Sequence, residues 1–284
     1  MDKLIKYQEI KIGTENIFYR EAGNPENPTF VLFHGFPSAS HMFRDLIPLL
    51  AKHFHVIAPD YPGFGRSSAP DYREFSYTFD HLAQIMEDFL KQLKIGSFYM
   101  YVFDYGAPIG FRIATAHPEW IEGIVSQNGN IYQEGLGEKW AGRKDFWEHP
   151  TPEKREQYRT AFKPETIKGQ YLYGTLPGTV SPDGYMLDIA YTHSVGYADR
   201  QLELIFDYQN NIKLYPVFQK YLRENKPQLL AVWGRNDPSF IYQGAQAFKK
   251  DDPNTQVALL DSGHFALESH ASIIAQLIIE YFLE

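Results

Sequence analysis

Three polar residues stand just behind apolar runs, and their types are those of covalent hydrolysis. Asp104 closes the run Ser97-Phe98-Tyr99-Met100-Tyr101-Val102-Phe103. That run is aromatic and β-rich, which reads as a buried strand. Gly106 follows two positions later, and Phe111, Ile113 and Ala114 begin an apolar-periodic helix. Strand, sharp turn and helix make a nucleophile elbow, which pushes one side chain out at the carboxyl edge of a sheet above a helix N-terminus. A carboxylate there needs no base to act as a nucleophile at pH 7, and an ester formed on it can later be hydrolysed. Asp237 follows the strand-like Leu229–Trp233, and His264 follows Val257–Leu260. An acid that fixes a histidine tautomer, and a histidine that takes a proton from water, are the other two parts such chemistry needs. Plainer readings stand beside these. Asp104 could be a turn acid, His264 a loop histidine, and Asn236-Asp237-Pro238 ordinary turn chemistry.

The elements that must position these groups alternate along the chain. Residues 4–12 and 16–20 read as two strands around a Gly13-Thr14-Glu15 turn, and Phe30–Phe33 and Val56–Ala58 as buried strands. Residues 41–53 fit a helix. Residues 79–94 fit an amphipathic one, with Leu82, Ile85, Met86, Phe89, Leu90 and Leu93 at helical spacing. Gly123–Gln127, Leu229–Trp233 and Val257–Leu260 read as further strands, residues 240–250 as a helix, and Ile273–Phe282 as a closing helix. Strand–helix alternation implies an α/β fold with a mostly parallel sheet covered by helices on both faces. The alternation breaks between residues 131 and 212, where Trp, Tyr, Gly, Pro and charge replace buried strands. That stretch reads as an inserted helical cap, and residues 1–130 and 213–284 as the core, with a helix from Lys213 to Arg223 leading back.

Composition narrows the partners. The 284 residues carry 27 Lys and Arg against 35 Asp and Glu, a net charge of −8, which argues against nucleic acid. There is no cysteine, so disulfides, thiolate metal sites and cysteine nucleophiles are excluded. An aromatic share of 16% can build a core and also line an apolar pocket. Met1–Gln8 has no apolar core of signal-peptide length, and no run reaches the roughly 18 apolar residues of a membrane span. A soluble cytoplasmic protein with no membrane partner is expected. No histidine pair has metal-ligand context, so no metal is expected, and hydrolysis through an aspartyl ester requires no organic cofactor. His34 reads as a buried structural histidine, Asn128 and Asn130 as loop-capping residues, Asp261 as a turn residue, and the Asp60–Ser67 loop as structural.

The order Asp104, Asp237, His264 resembles that of the α/β-hydrolase superfamily, over nearly the whole chain. Within it, an aspartate at the elbow is similar to the epoxide hydrolase and haloalkane dehalogenase branch. His34-Gly35-Phe36-Pro37 resembles that branch's oxyanion-hole loop. The resemblance implies that the N–H groups of Phe36 and Tyr105 form the oxyanion hole, with a cis bond before Pro37. It implies a small, apolar, electrophilic substrate. An epoxide hydrolase of this kind uses cap tyrosines as donors, and Tyr215 in Leu214-Tyr215-Pro216 is the first choice. A dehalogenase uses indole N–H groups for the halide, for which Trp140 and Trp147 are the candidates. Phe36 matches many epoxide hydrolases, and Val102 many dehalogenases. Tyr105 departs from the Trp common to both, and from the Arg of fluoroacetate dehalogenases. The first reading is an epoxide hydrolase and the alternative a haloalkane dehalogenase. A luciferase-like oxidoreductase and a non-catalytic ligand binder on the same fold come after them. Oligomeric state is left open.

Overall fold

The computed structural model describes residues 5–283. Eight strands form one sheet: β1 Lys6–Ile12, β2 Glu15–Ala22, β3 Thr29–Phe33, β4 His55–Pro59, β5 Phe98–Phe103, β6 Ile121–Gln127, β7 Gln228–Gly234 and β8 Gln256–Leu260. Their order is β1-β2-β4-β3-β5-β6-β7-β8. The β1–β2 hairpin joins antiparallel, and every pair from β4 to β8 is parallel. Parallel register brings the carboxyl ends together: Phe33 lies beside Val102, Phe103 beside Gln127, Gln127 beside Val232, and Gly234 beside Leu260. The residues after β3, β5, β6, β7 and β8 therefore emerge along one edge, and β5, which carries Asp104, lies between β3 and β6.

Successive strand side chains point to opposite faces and fill two cores. Val31, Phe33, Met100 and Val102 pack on one face against helices Phe79–Gln92 and Gly106–Ala116. Phe30, Leu32, Tyr101 and Phe103 pack on the other against Ile274, Ile278 and Phe282 of helix Ala266–Leu283. Helix Phe79–Gln92 begins at Thr78, whose hydroxyl accepts the His81 N–H at 3.2 Å, and Asp80 sits in its first turn. Its Leu82, Met86, Phe89 and Leu90 are buried, each contributing about 1.5–3 kcal/mol.

Two expectations are corrected. Residues 41–53 do not form one helix; a 3₁₀ turn at Ser40–Phe43 and a short helix at Ile47–Leu50 stand there instead. Pro48 has no N–H and clashes with a carbonyl four residues back, so it serves only as a helix start. Nor does a new helix open near Lys213. One helix runs from Tyr197 to Asn225 with Pro216 inside it, so the 212/213 boundary falls within a continuous element. An interior Pro costs about 3 kcal/mol. Tyr208, Tyr215, Phe218, Tyr221 and Leu222 are buried on both sides of it and more than offset that. Asp207 and Asn211 of this helix are tied to the core by the Phe79 N–H and by Arg112, each at 2.8 Å. Between β6 and β7, helices Trp140–Glu148, Pro152–Gln157, Pro164–Leu172 and Pro182–Thr192 precede it. Among the described residues, no helix is long and apolar enough to cross a membrane.

Candidate active site

Asp104 takes φ = 47°, a left-handed conformation that Asp tolerates better than most residues. The turn closes because its neighbours have no side chain. A Cβ on Gly106 would stand 2.2 Å from the Phe33 carbonyl oxygen, and one on Gly35 would stand 2.4 Å from the Asp104 Cβ. Gly35 thus lets the His34–Pro37 loop lie against the carboxylate. The Phe36 N–H donates to Asp104 Oδ1 at 2.7 Å, and the Phe36–Pro37 bond is cis. Asp104 Oδ2 faces His264 Nε2 at 3.8 Å, beyond hydrogen-bond length, so neither group is spent on the other.

His264 is fixed from behind. Its Nδ1 lies 2.6 Å from Asp237 Oδ2. Asp237 Oδ1 accepts the N–H groups of Ser239 at 2.7 Å and Phe240 at 3.1 Å, and Asn128 Nδ2 donates to Oδ2 at 2.8 Å. With Nδ1 donating to Asp237, Nε2 is the free nitrogen, and it points at the nucleophile. Burial pushes the Asp104 carboxyl up; His264, the Phe36 and Tyr105 amides and, more weakly, Arg143 oppose it. Burial pulls His264 down, but the Asp237 charge and hydrogen bond and the Asp104 charge outweigh it, and its pKa ends above the ordinary value.

The other sequence candidates divide. His34 is buried and accepts the Tyr61 N–H at 3.3 Å on Nε2, and burial holds it neutral with a pKa of about 4. Asn128 does more than cap a loop. Its side chain bridges Asp237 and the Gly234 N–H, the latter at 3.0 Å, from a backbone at φ = 47°. The sequence signal was an Asn directly after a buried strand, one strand away from the acid. Tyr215 is buried, with its hydroxyl 3.3 Å from Asn130 Nδ2 and 3.5 Å from the Tyr208 hydroxyl. Both phenols are pushed up by burial first, and both feel the Asp104 charge. Tyr208 is one of several cap tyrosines between which the sequence does not choose a partner for Tyr215, because one tyrosine among 20 carries no mark of its neighbours.

The tryptophans require a correction. The Trp140 indole N–H donates to the Ser239 carbonyl at 3.0 Å, and that of Trp147 to the Ile205 carbonyl at 3.0 Å. An indole has one N–H, so neither has a donor left for a halide. Their role is packing: both rings lie against Tyr208.

A cavity of about 350 Å³ opens over Asp104. Asp104, Tyr105 and His264 line it from the core, and Arg143, Gln170 and Tyr173 from the helical insertion. The Tyr105 side chain is buried against Phe36, Phe79 and Tyr208, and its hydroxyl has no hydrogen-bond partner among the described residues. A buried hydroxyl in that state costs about 1–3 kcal/mol unless a ligand or water satisfies it.

Residues 28–271 match the family model described as the alpha/beta hydrolase fold. An uncharacterized hydrolase of Saccharomyces cerevisiae is 48% identical over 280 residues, which is 94% of this chain and 93% of that protein. A haloalkane dehalogenase of Bradyrhizobium diazoefficiens is 34% identical over 121 residues, 43% of this chain and 38% of its own length. Among solved structures, haloalkane dehalogenase DbeA from Bradyrhizobium elkani superposes with a TM-score of 0.81 at 22% identity, covering 98% of each chain. At that identity the likeness speaks for the fold.

Proposed function

The chain belongs to the α/β-hydrolase fold family and is an enzyme of the hydrolase type; on that premise we propose that it acts through an ester of Asp104, opening epoxides to diols. The observation that carries this reading is the Asp104 carboxylate, with Oδ1 held by the Phe36 amide and Oδ2 free beneath the cavity, 3.8 Å from His264.

The steps follow from the two oxygens. Oδ2 attacks an epoxide carbon in line, an O–C bond forms, and the C–O bond of the ring breaks with its electron pair going to oxygen. A phenol hydroxyl supplies the proton to that oxygen. Tyr105 is a lining residue whose buried hydroxyl is unengaged, Tyr208 packs against its ring, and the Tyr208 and Tyr215 hydroxyls lie 3.5 Å apart. His264 Nε2 then removes a proton from water, and the hydroxide attacks Asp104 Cγ. The negative charge collects on Oδ1, already at the Phe36 N–H, with the Tyr105 amide next along the chain. Removal of one such donor typically costs about 2.7–4 kcal/mol of barrier. Collapse breaks the Cγ–O bond to the product, which takes the proton from His264 and leaves as the diol, while the proton left on the new Asp104 carboxyl returns to the phenolate, restoring both groups. Asp237 keeps the imidazole oriented throughout.

Haloalkane dehalogenation is the second reading. The same first step would expel halide in place of the ring oxygen, and it is favoured by the dehalogenase relatives. It is weakened by the engagement of both cap indoles with backbone carbonyls. A panel of terminal epoxides and primary bromoalkanes of matched size separates the two. The epoxide reading expects diol and no bromide, and bromide release without diol would replace it with the dehalogenase.

The water step needs neutral His264. In the ester Asp104 carries no charge and Asp237 alone opposes burial, so the acid limb of kcat is expected in the histidine range around the ordinary value of about 6.5, with activity falling as pH drops through it. A rate that stays flat down to pH 4 would remove His264 as the base.

A further inference from the structure

The cavity wall holds two cations that form no salt bridge among the described residues. Lys139 and Arg143, four residues apart, both line the space above Asp104. Neither makes a salt bridge or hydrogen bond among the described residues; each lies over an aromatic ring instead. The Arg143 guanidinium carbon is 4.3 Å from the Trp140 ring centroid, and Lys139 Nζ is 6.0 Å from that of Tyr173. The nearby acid of the same helix, Asp145, is taken by Lys154 at 2.7 Å. Among the described residues, the carboxylates lining the cavity are Asp104 and Asp237. Asp104 is held at Oδ1 by the Phe36 amide and turns Oδ2 toward His264, and Asp237 is engaged by His264, Asn128 and two backbone amides.

Arg143 is half-buried, and its charge reaches Asp104, Tyr105 and His264. Among the described residues Asp104 has His264 as its ion-pair neighbour and makes no salt bridge to Arg143, so pairing with the nucleophile does not account for it. A guanidinium carries five N–H donors in a planar fork, and stacking on an indole fixes the plane while leaving the edges free. A planar carboxylate matches that fork in two parallel hydrogen bonds. A cavity of about 350 Å³ is at the lower end of the size range for small-ligand sites, so a short chain could span it.

We propose that the substrate is a carboxylate-bearing electrophile: its reactive carbon is presented to Asp104 while its carboxylate is held by Arg143, with Lys139 adding charge at the rim. This rests on the Asp104 reading for the reactive end only; recognition of the anion is independent of turnover.

The test uses inert ligands first. Octanoate and octanamide are titrated calorimetrically against the wild-type protein, R143Q, R143K and K139Q, at low and high salt. Octanoate is expected to bind about tenfold or more tightly than the amide, as charged hydrogen bonds in a half-buried site require. The preference should vanish in R143Q, survive in part in R143K, and shrink with salt. Equal binding of acid and amide, or a preference that persists in R143Q, overturns the proposal. A second arm compares kcat/KM for an epoxide ending in a carboxylate with that for its methyl ester. The acid should win through KM, and the advantage should be lost in R143Q. If neither compound turns over while the Arg143-dependent preference for octanoate holds, the Asp104 reaction fails and the anion site stands. If the ester turns over as well as the acid, the anion site fails and the reaction stands.

Discussion

Asp104→Asn should abolish turnover, by about 10⁴-fold or more, in a protein that folds as well as the wild type or better. The loss follows from the chemistry, since an amide oxygen is too weak a nucleophile to displace an alkoxide or halide. The retained fold follows from the backbone. Asn shares with Asp a tolerance for the left-handed conformation at φ = 47°, and its Oδ1 can go on accepting the Phe36 N–H. Ala would remove that acceptor and place an unsuited residue in a strained turn, so Asn is the cleaner test. Stability adds an independent sign. Burial holds the Asp104 pKa above its ordinary value, so the native state binds the proton more tightly than the unfolded chain. This group's contribution therefore falls as pH rises from the unfolded value through the folded one, and stays low above it. At pH 7 the ionised carboxylate costs the fold, and the neutral amide removes that cost. The melting temperature of Asp104→Asn is expected at or above that of the wild type at pH 7, with the difference shrinking as pH falls toward 4. A variant that keeps more than about 1% of wild-type kcat on an epoxide or haloalkane would end the covalent mechanism.

How much of this was legible beforehand depends on how local the cause is. The elbow could be read because its parts are consecutive. An apolar strand, one acid and a Gly at the right offset describe a turn that only a Gly at 106 can close, with the Phe33 carbonyl 2.2 Å from where a Cβ would be. Asp237 and His264 could be read because a parallel sheet puts all its carboxyl ends on one edge, so residues far apart in sequence become neighbours there. The Asn128 contact with Asp237 was under-read, since it depends on the adjacency of β6 and β7 and on one side chain turning back. The insertion was least legible. Trp140 and Trp147 look like donors until their N–H groups are traced to the Ser239 and Ile205 carbonyls, one in the core and one in another helix. Tyr215 could be suspected only from the resemblance, since it falls near the family's cap tyrosine, and its partnership with Tyr208 rests on a helix that continues through Pro216. Packing decided those cases, and packing has no short-range signature.

His264→Gln should turn the enzyme into a trap for its own intermediate. Alkylation of Asp104 needs only the carboxylate and a donor to the leaving oxygen, so it should proceed. Hydrolysis of the ester needs a base at Nε2, and glutamine offers none. The variant should fold. Asp237, left without the imidazole, still accepts from Ser239, Phe240 and Asn128, so its buried charge is not orphaned. Mixed with substrate, it should consume about one equivalent and stop. Intact mass should then rise by the full mass of an epoxide, because ring opening loses no atoms, or by an alkyl group without its halogen if the substrate is a haloalkane. Peptide mapping should place the adduct on Asp104, and Asp104→Asn/His264→Gln should show none. Water labelled with ¹⁸O gives the matching wild-type result. Attack at Cγ puts solvent oxygen into Asp104 in the first turnover, and an old carboxylate oxygen leaves in the product. Direct attack of water on the substrate would put solvent oxygen straight into the product and leave Asp104 unlabelled. Label in the product from the first turnover, or a folded His264→Gln that turns over repeatedly without an adduct, would assign His264 to activating water against the substrate itself and Asp104 to an electrostatic role.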